Sequence, residues 1–130
     1  MVEVPIRIRW RDVDAYAHVN NAVYLTYLEE ARDRWAETTL PGTNFVIVRI
    51  EIDYRRELSL DDKAVTVSCR GVEIGTSSIH TAEVIRADAG WVAAESRSVI
   101  VAHDESSRSA RALTPEERMR LEASIEADRD

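Results

Sequence analysis

The chain has 130 residues, 45% of them hydrophobic and 32% charged, with a net charge of −7. That length suits one domain with one core, and the composition is globular rather than disordered. The acidic balance argues against nonspecific nucleic-acid binding, and no apolar run approaches the ~20 residues of a membrane span.

The chain opens with "MVEVPIRIRW", in which Val4, Ile6, Ile8 and Trp10 alternate with Arg7, Arg9 and Arg11. Period two with one apolar side predicts a half-buried strand. The stretch lacks the apolar core of a signal peptide, so a cytoplasmic address is expected. A polar loop follows from Asp12 to Asn21. Beyond it, Tyr24, Tyr27, Leu28, Ala31 and Trp35 recur at three- and four-residue steps and predict a long amphipathic helix. Asn20 or Asn21 is suited to cap it, and Pro41-Gly42 end it.

The next segments read as strands. Val46, Val48, Ile50, Ile52 and Tyr54 alternate with charged residues, and Val65, Val67 and Cys69 do so again. Cys69 is the chain's one cysteine, which excludes an internal disulfide and suits a reducing compartment. Its setting in a strand reads as packing. "TSSIHTAEVIR" and "WVAAESRSVIVAH" add two strands around the turn "ADAG". Thr114, Pro115 and Glu117 then spell a capped helix start, and residues from about 124 to 130 are expected to fray.

Consecutive strands on short turns make an antiparallel sheet. The fold class is therefore α+β: five antiparallel strands wrapped around one long helix, with a short helix at the C-terminal end, all in a single domain. Open sheet edges are usually paired or covered. A homodimer that continues the sheet, or a homotetramer built from it, is expected.

The loop "RDVDAYAHVNN" is more polar than capping requires. Together with the helix that follows, "RDVDAYAHVNNAVYLTYLEEAR" resembles the signature of hotdog-fold acyl-CoA thioesterases of the 4-hydroxybenzoyl-CoA thioesterase type. That signature runs from an aspartate through His-Val-Asn-Asn and a tyrosine to a glutamate-rich stretch ending in arginine. "IDYRREL" and "EIGTSSIHTAEV" follow in the order of that family, and the resemblance spans nearly the whole chain. It implies hydrolysis of an acyl-CoA to coenzyme A and a carboxylic acid, with no metal or organic cofactor.

The resemblance places the catalytic carboxylate at Asp14. Such a carboxylate activates water or attacks directly, while the unpaired amides of the helix start receive the developing oxyanion. His18, four residues on, joins Asp14 as a catalytic candidate. Asn20, Asn21 and Tyr24 are substrate-side candidates that also have capping and core roles open to them. Asp12 is near enough to compete as the carboxylate, and Glu29 stands in reserve, since in related enzymes an acid on this helix does the chemistry. Arg55 and Arg56, after a strand, and Arg108 and Arg111, in a polar loop, are candidates for the phosphates of coenzyme A.

The chain departs from the family at Ala17, where the family carries glycine, and at Asp61-Asp62, where it often carries Gly-Asp. An alanine disfavours positive φ, so the loop is expected to bend differently there. His80 and His103 have no ligand spacing with His18, and "GTSS" lacks the second glycine of a nucleophile elbow. The alternatives are a non-catalytic acyl-CoA binding protein and an acyl-CoA hydratase or dehydratase pairing Asp14 with His18.

Overall fold

A computed structural model describes residues 1–129. The elements in chain order are β1 (Val2–Arg7), α1 (Asn21–Thr39), β2 (Phe45–Tyr54), β3 (Ala64–Ile74), β4 (Ser78–Ala87), β5 (Val92–Asp104), β6 (Ser109–Ala110) and α2 (Pro115–Ala127). The main sheet has the order β1-β3-β4-β5-β2, with every neighbour antiparallel, and the two-residue β6 pairs with the end of β5. The sheet curls around α1, as the α+β reading expects.

The apolar stripe of α1 makes the core. Tyr24, Tyr27, Leu28, Ala31 and Trp35 are all buried. They meet the inward side chains Val65, Val67 and Cys69 of β3, Ile79 and Ile85 of β4, and Ala94, Ile100 and Ala102 of β5. Each large side chain buried this way contributes about 1.5–3 kcal/mol. Burial raises the Cys69 thiol well above its ordinary value, which keeps it unreactive. Gly71 lets the sheet close on the helix: a Cβ there would sit 2.8 Å from the Trp35 ring.

One polar cluster lies inside this core. Arg32 on α1 donates from Nη1 to Glu83 Oε1 at 2.9 Å and to Ser98 Oγ at 3.3 Å. Ser98 Oγ donates to the same carboxylate at 2.6 Å, and Thr81 Oγ1 donates to Glu83 Oε2 at 3.2 Å. The Glu83 side chain is 0% exposed. The cluster ties the helix to β4 and β5.

Three local expectations change. The first strand stops at Arg7, and Trp10 sits in a 3₁₀ turn, 82% exposed. The turn forms because the Asp12 carboxylate accepts the Arg9 backbone N–H at 2.9 Å and folds the chain back. In β2 a bulge at Val48 breaks the alternation, leaving Val46, Ile47 and Val48 exposed while Ile50 and Ile52 are half-buried. The end of the chain does not fray from residue 124. α2 runs to Ala127, because Leu121 and Ile125 bury its inner face. Its Thr114–Glu117 capping box is formed, and Asp130 lies outside the described residues. No helix among the described residues is long and apolar enough to cross a membrane.

Candidate active site

The polar loop is a tight turn closed by its own backbone. The Asp14 N–H donates to the His18 carbonyl at 2.8 Å, and the Ala17 N–H donates to the Asp14 carbonyl at 3.1 Å. Val13 and Val19 pair across it. The Val19 N–H then reaches Leu58 O at 2.7 Å, and the Asn20 N–H reaches Asp12 O at 2.9 Å. These bonds pin both ends of the loop to the fold. Ala17 adopts φ +68°, so the left-handed bend forms with a methyl group in it. Closure of the turn outweighs the roughly 1–2 kcal/mol that this conformation costs an L-residue.

The two aspartates of the loop have different surroundings. Asp12 is buried and saturated. Its carboxylate accepts from the Tyr27 hydroxyl at 2.8 Å, the Arg9 backbone N–H at 2.9 Å, and Arg9 Nη2 and Nε at 3.1 and 3.3 Å. Burial pushes its pKa up, but the hydrogen bonds from Arg9 and Tyr27 outweigh burial and hold it below the usual carboxylate value. A carboxylate with no open lone pair is a poorer base than one with an unpartnered oxygen. Asp14 is half-buried. Its Oδ1 accepts the Tyr16 N–H at 2.9 Å and the His18 N–H at 3.4 Å, and its Oδ2 has no partner among the described residues.

Asp14 lines an open cleft of about 870 Å³ together with His18, Asn21, Tyr24, Tyr54, Arg55, Arg56, Glu57 and Trp91. The cleft lies where α1 begins. Asn20 is the N-cap and accepts the Ala22 N–H at 2.8 Å. It serves the helix and does not line the cleft. The Val23 N–H is taken by Asn20 O at 2.9 Å, while the Asn21 N–H has no acceptor among the described residues. Asn21, the first residue of the helix, lines the same cleft as Asp14, at the end where a helix carries positive potential.

Tyr24 is buried, and its hydroxyl accepts the Leu58 N–H at 3.0 Å. Burial raises its pKa, although the Leu58 hydrogen bond works against that. Its ring packs edge-on against Tyr54 with centroids 5.1 Å apart. The Tyr54 hydroxyl donates to the Asn21 carbonyl at 2.9 Å, which fixes the first residue of α1.

His18 touches Asp14 through its backbone only. Its Nε2 meets the Glu57 carboxylate. Arg55 is bound to Glu95 at 3.0 Å and to Asp53 at 3.6 Å. Arg56 has no carboxylate partner among the described residues and lies over the Trp91 ring, 4.2 Å from its centroid. Glu29 is on another flank of α1, beside a groove between that helix and β2.

A further groove of about 450 Å³ on the outer face of the sheet is lined by interleaved acids and arginines such as Glu51, Arg70, Arg86 and Glu95. Among the described residues no group of His, Cys, Asp or Glu side chains is placed to hold a metal.

Tyr54, Glu57 and Trp91, with Val19, Ser59 and Asp62, are cleft residues that the sequence reading does not single out as candidates. Tyr54 and Glu57 flank Arg55-Arg56 in "IDYRREL", so the strand end carried a usable signal. Trp91 had none, because only the β4–β5 turn brings it beside Arg56.

The chain resembles known proteins along nearly its whole length. The thioesterase-like superfamily matches residues 8–123. The chain is 34% identical to the long-chain acyl-CoA thioesterase FadM of Escherichia coli K12, over 95% of this chain and 99% of that one. The crystal structure of a thioesterase from Thermus thermophilus, complexed with coenzyme A and Zn, superposes with a TM-score of 0.84 at 33% identity, covering 95% of this chain and 94% of that chain. The probable thioesterase YbaW of Escherichia coli superposes with a TM-score of 0.81 at 33% identity, covering 96% and 99%. This chain belongs to the thioesterase-like superfamily and has its hotdog fold.

Proposed function

We infer that this protein is an acyl-CoA thioesterase, hydrolysing an acyl-CoA to coenzyme A and a carboxylic acid. The observation that carries the reading is one cleft lined by both Asp14, with an open carboxylate oxygen, and Asn21, with an unpaired amide at a helix start. The thioester carbonyl oxygen takes the Asn21 N–H, which gains strength as negative charge develops there. Asp14 Oδ2 draws a proton from water. The water oxygen bonds to the carbonyl carbon, the C–S bond breaks, and the proton returns to the departing thiolate. In direct attack Asp14 Oδ2 bonds to the same carbon as the C–S bond breaks, giving a mixed anhydride and a thiolate; water then hydrolyses the anhydride, freeing the carboxylic acid and Asp14 and supplying the thiolate's proton.

His18 positions Asp14 through two backbone hydrogen bonds, while its imidazole, tied to Glu57, walls the cleft. Asn20 fixes the helix start, and Tyr24 with Tyr54 forms the apolar wall against which an acyl group packs. Arg55 and Arg56 lie on the side suited to the coenzyme.

The relative FadM is named for long-chain acyl-CoA, and a long acyl chain is the substrate we expect here. The working unit is a homodimer joined along β2, or a tetramer of such dimers. β2 is an edge strand, and it exposes Val46, Ile47 and Val48. The protein acts as one cytoplasmic domain, in keeping with its single buried free thiol. Thiol release from short, long and aromatic acyl-CoAs tests the reading. Turnover of the long-chain members is expected, and absence of thiol from the whole panel refutes it.

A further inference from the structure

We propose that Arg56, held on the face of Trp91, is the anchor for the phosphates of the coenzyme A moiety. This rests on the acyl-CoA reading and goes further by choosing between two adjacent arginines and adding a tryptophan.

Charge accounting makes the choice. Arg55 and Arg56 both line the cleft. The Arg55 guanidinium donates to Glu95 from Nε at 3.1 Å, and its Nη2 lies 3.0 Å from Glu95 and 3.6 Å from Asp53. Two carboxylates balance that charge, so a phosphate would have to displace one of them. Among the described residues the Arg56 guanidinium has no carboxylate partner and lies on an aromatic ring. A π face attracts the cation but leaves its N–H groups unused at the guanidinium edge, where they match the paired oxygens of a phosphate.

The pair is also held in advance of binding. The Arg56 N–H donates to Ala93 O at 3.1 Å, beside that of Arg55 at 2.8 Å. Trp91 is fixed by the Ala87 N–H, which donates to its carbonyl at 3.0 Å, and by the turn in which Gly90 takes φ +102°. The rest of the molecule repels such a ligand. The chain carries −7, and Asp14, Glu57 and Asp62 line the same cleft. A polyanionic substrate therefore needs a local, fixed and uncompensated cation to be held against that field.

The experiment compares wild type with Arg56→Gln, Arg56→Lys, Arg55→Gln and, as a charge-matched control on the exposed side of α1, Arg34→Gln. Each is assayed with an acyl-CoA and with the matching S-acyl-N-acetylcysteamine thioester, which has no phosphate. Arg56→Gln should raise KM for the acyl-CoA about 10-fold or more at unchanged kcat, the loss of a charge-assisted hydrogen bond. It should also flatten the salt dependence of KM and leave the phosphate-free substrate unaffected. Arg56→Lys should lie between wild type and Arg56→Gln, and Arg55→Gln should lose less than Arg56→Gln.

Equal losses on both substrates, or an unchanged KM for acyl-CoA, overturn the proposal. Calorimetric titration with free coenzyme A reads the same contact without turnover, and equal affinity in wild type and Arg56→Gln overturns it too. A wild type that binds coenzyme A through Arg56 yet releases no thiol refutes the hydrolase reading and leaves the anchor standing.

Discussion

The buried Arg32–Glu83 pair makes the sharpest stability prediction. Replacing Glu83 with Leu removes the acceptor of three hydrogen-bonding groups at once. Arg32 Nη1 loses its 2.9 Å contact, Ser98 Oγ its 2.6 Å contact and Thr81 Oγ1 its 3.2 Å contact. The Arg32 side chain is only 7% exposed, so water does not replace the lost carboxylate. An uncompensated buried charge costs about 3–5 kcal/mol. Arg32→Met strands Glu83 with hydroxyl donors alone and should cost a similar amount. The double variant Arg32→Met/Glu83→Leu removes both charges and fills the space with apolar groups of comparable size. Such swaps are often neutral or stabilising, so the double variant should recover most of the loss. Urea unfolding followed by circular dichroism measures all three, and the cycle gives a coupling energy of several kcal/mol. Single variants that each lose under about 1 kcal/mol, or a double variant whose loss equals the sum of the singles, would refute the claim that burial sets the strength of this pair.

Three further outcomes follow from the geometry. Ala17→Gly relieves the left-handed bend at φ +68°. The gain of roughly 1–2 kcal/mol is offset in part by the freer unfolded chain, leaving about 0.5–1 kcal/mol of stabilisation, read as a higher Tm. Asp12→Asn keeps the size of the side chain but turns an N–H group toward donors from Arg9 and Tyr27. It should cost about 1.5–3 kcal/mol of stability while the folded variant keeps its kcat. Glu117 titrates at about 2, held down from 4.5 first by the Arg111 hydrogen bonds and then by Thr114 and Thr43, against the opposing effect of burial. A depressed carboxylate stabilises the fold above its unfolded pKa, and that stability is lost as pH falls through the folded pKa. Unfolding free energy should thus drop between pH 4.5 and about 2 in wild type, and Glu117→Gln should flatten that segment.

Local periodicity carried most of the fold. The α1 stripe from Tyr24 to Trp35 and the β3 alternation through Val65, Val67 and Cys69 both became core, because burial acts on spacing that is visible in the chain. β1 was misread at Trp10 and β2 at Val48, where a side-chain hydrogen bond and a bulge, neither periodic, set the backbone. Asp12 and Asp14 look equivalent in "RDVD". Their partners separate a saturated carboxylate from an open one: Asp12 is filled by Arg9, three residues back, and by Tyr27, fifteen residues on. Likewise Arg55 and Arg56 are neighbours in the chain, and Glu95 and Trp91, distant in sequence, give them opposite surroundings.

The central claim is that Asp14 does the chemistry. The most direct measurement is the single-turnover rate of thiol release from a long-chain acyl-CoA by wild type and by Asp14→Asn, with folding of both checked by circular dichroism. Asparagine retains the Oδ1 that accepts the Tyr16 and His18 N–H groups, so the loop should hold while the base is lost. The predicted result is a fall of about 100- to 10,000-fold at little change in substrate affinity. Equal rates in the two proteins would contradict the claim and move the chemistry to another carboxylate.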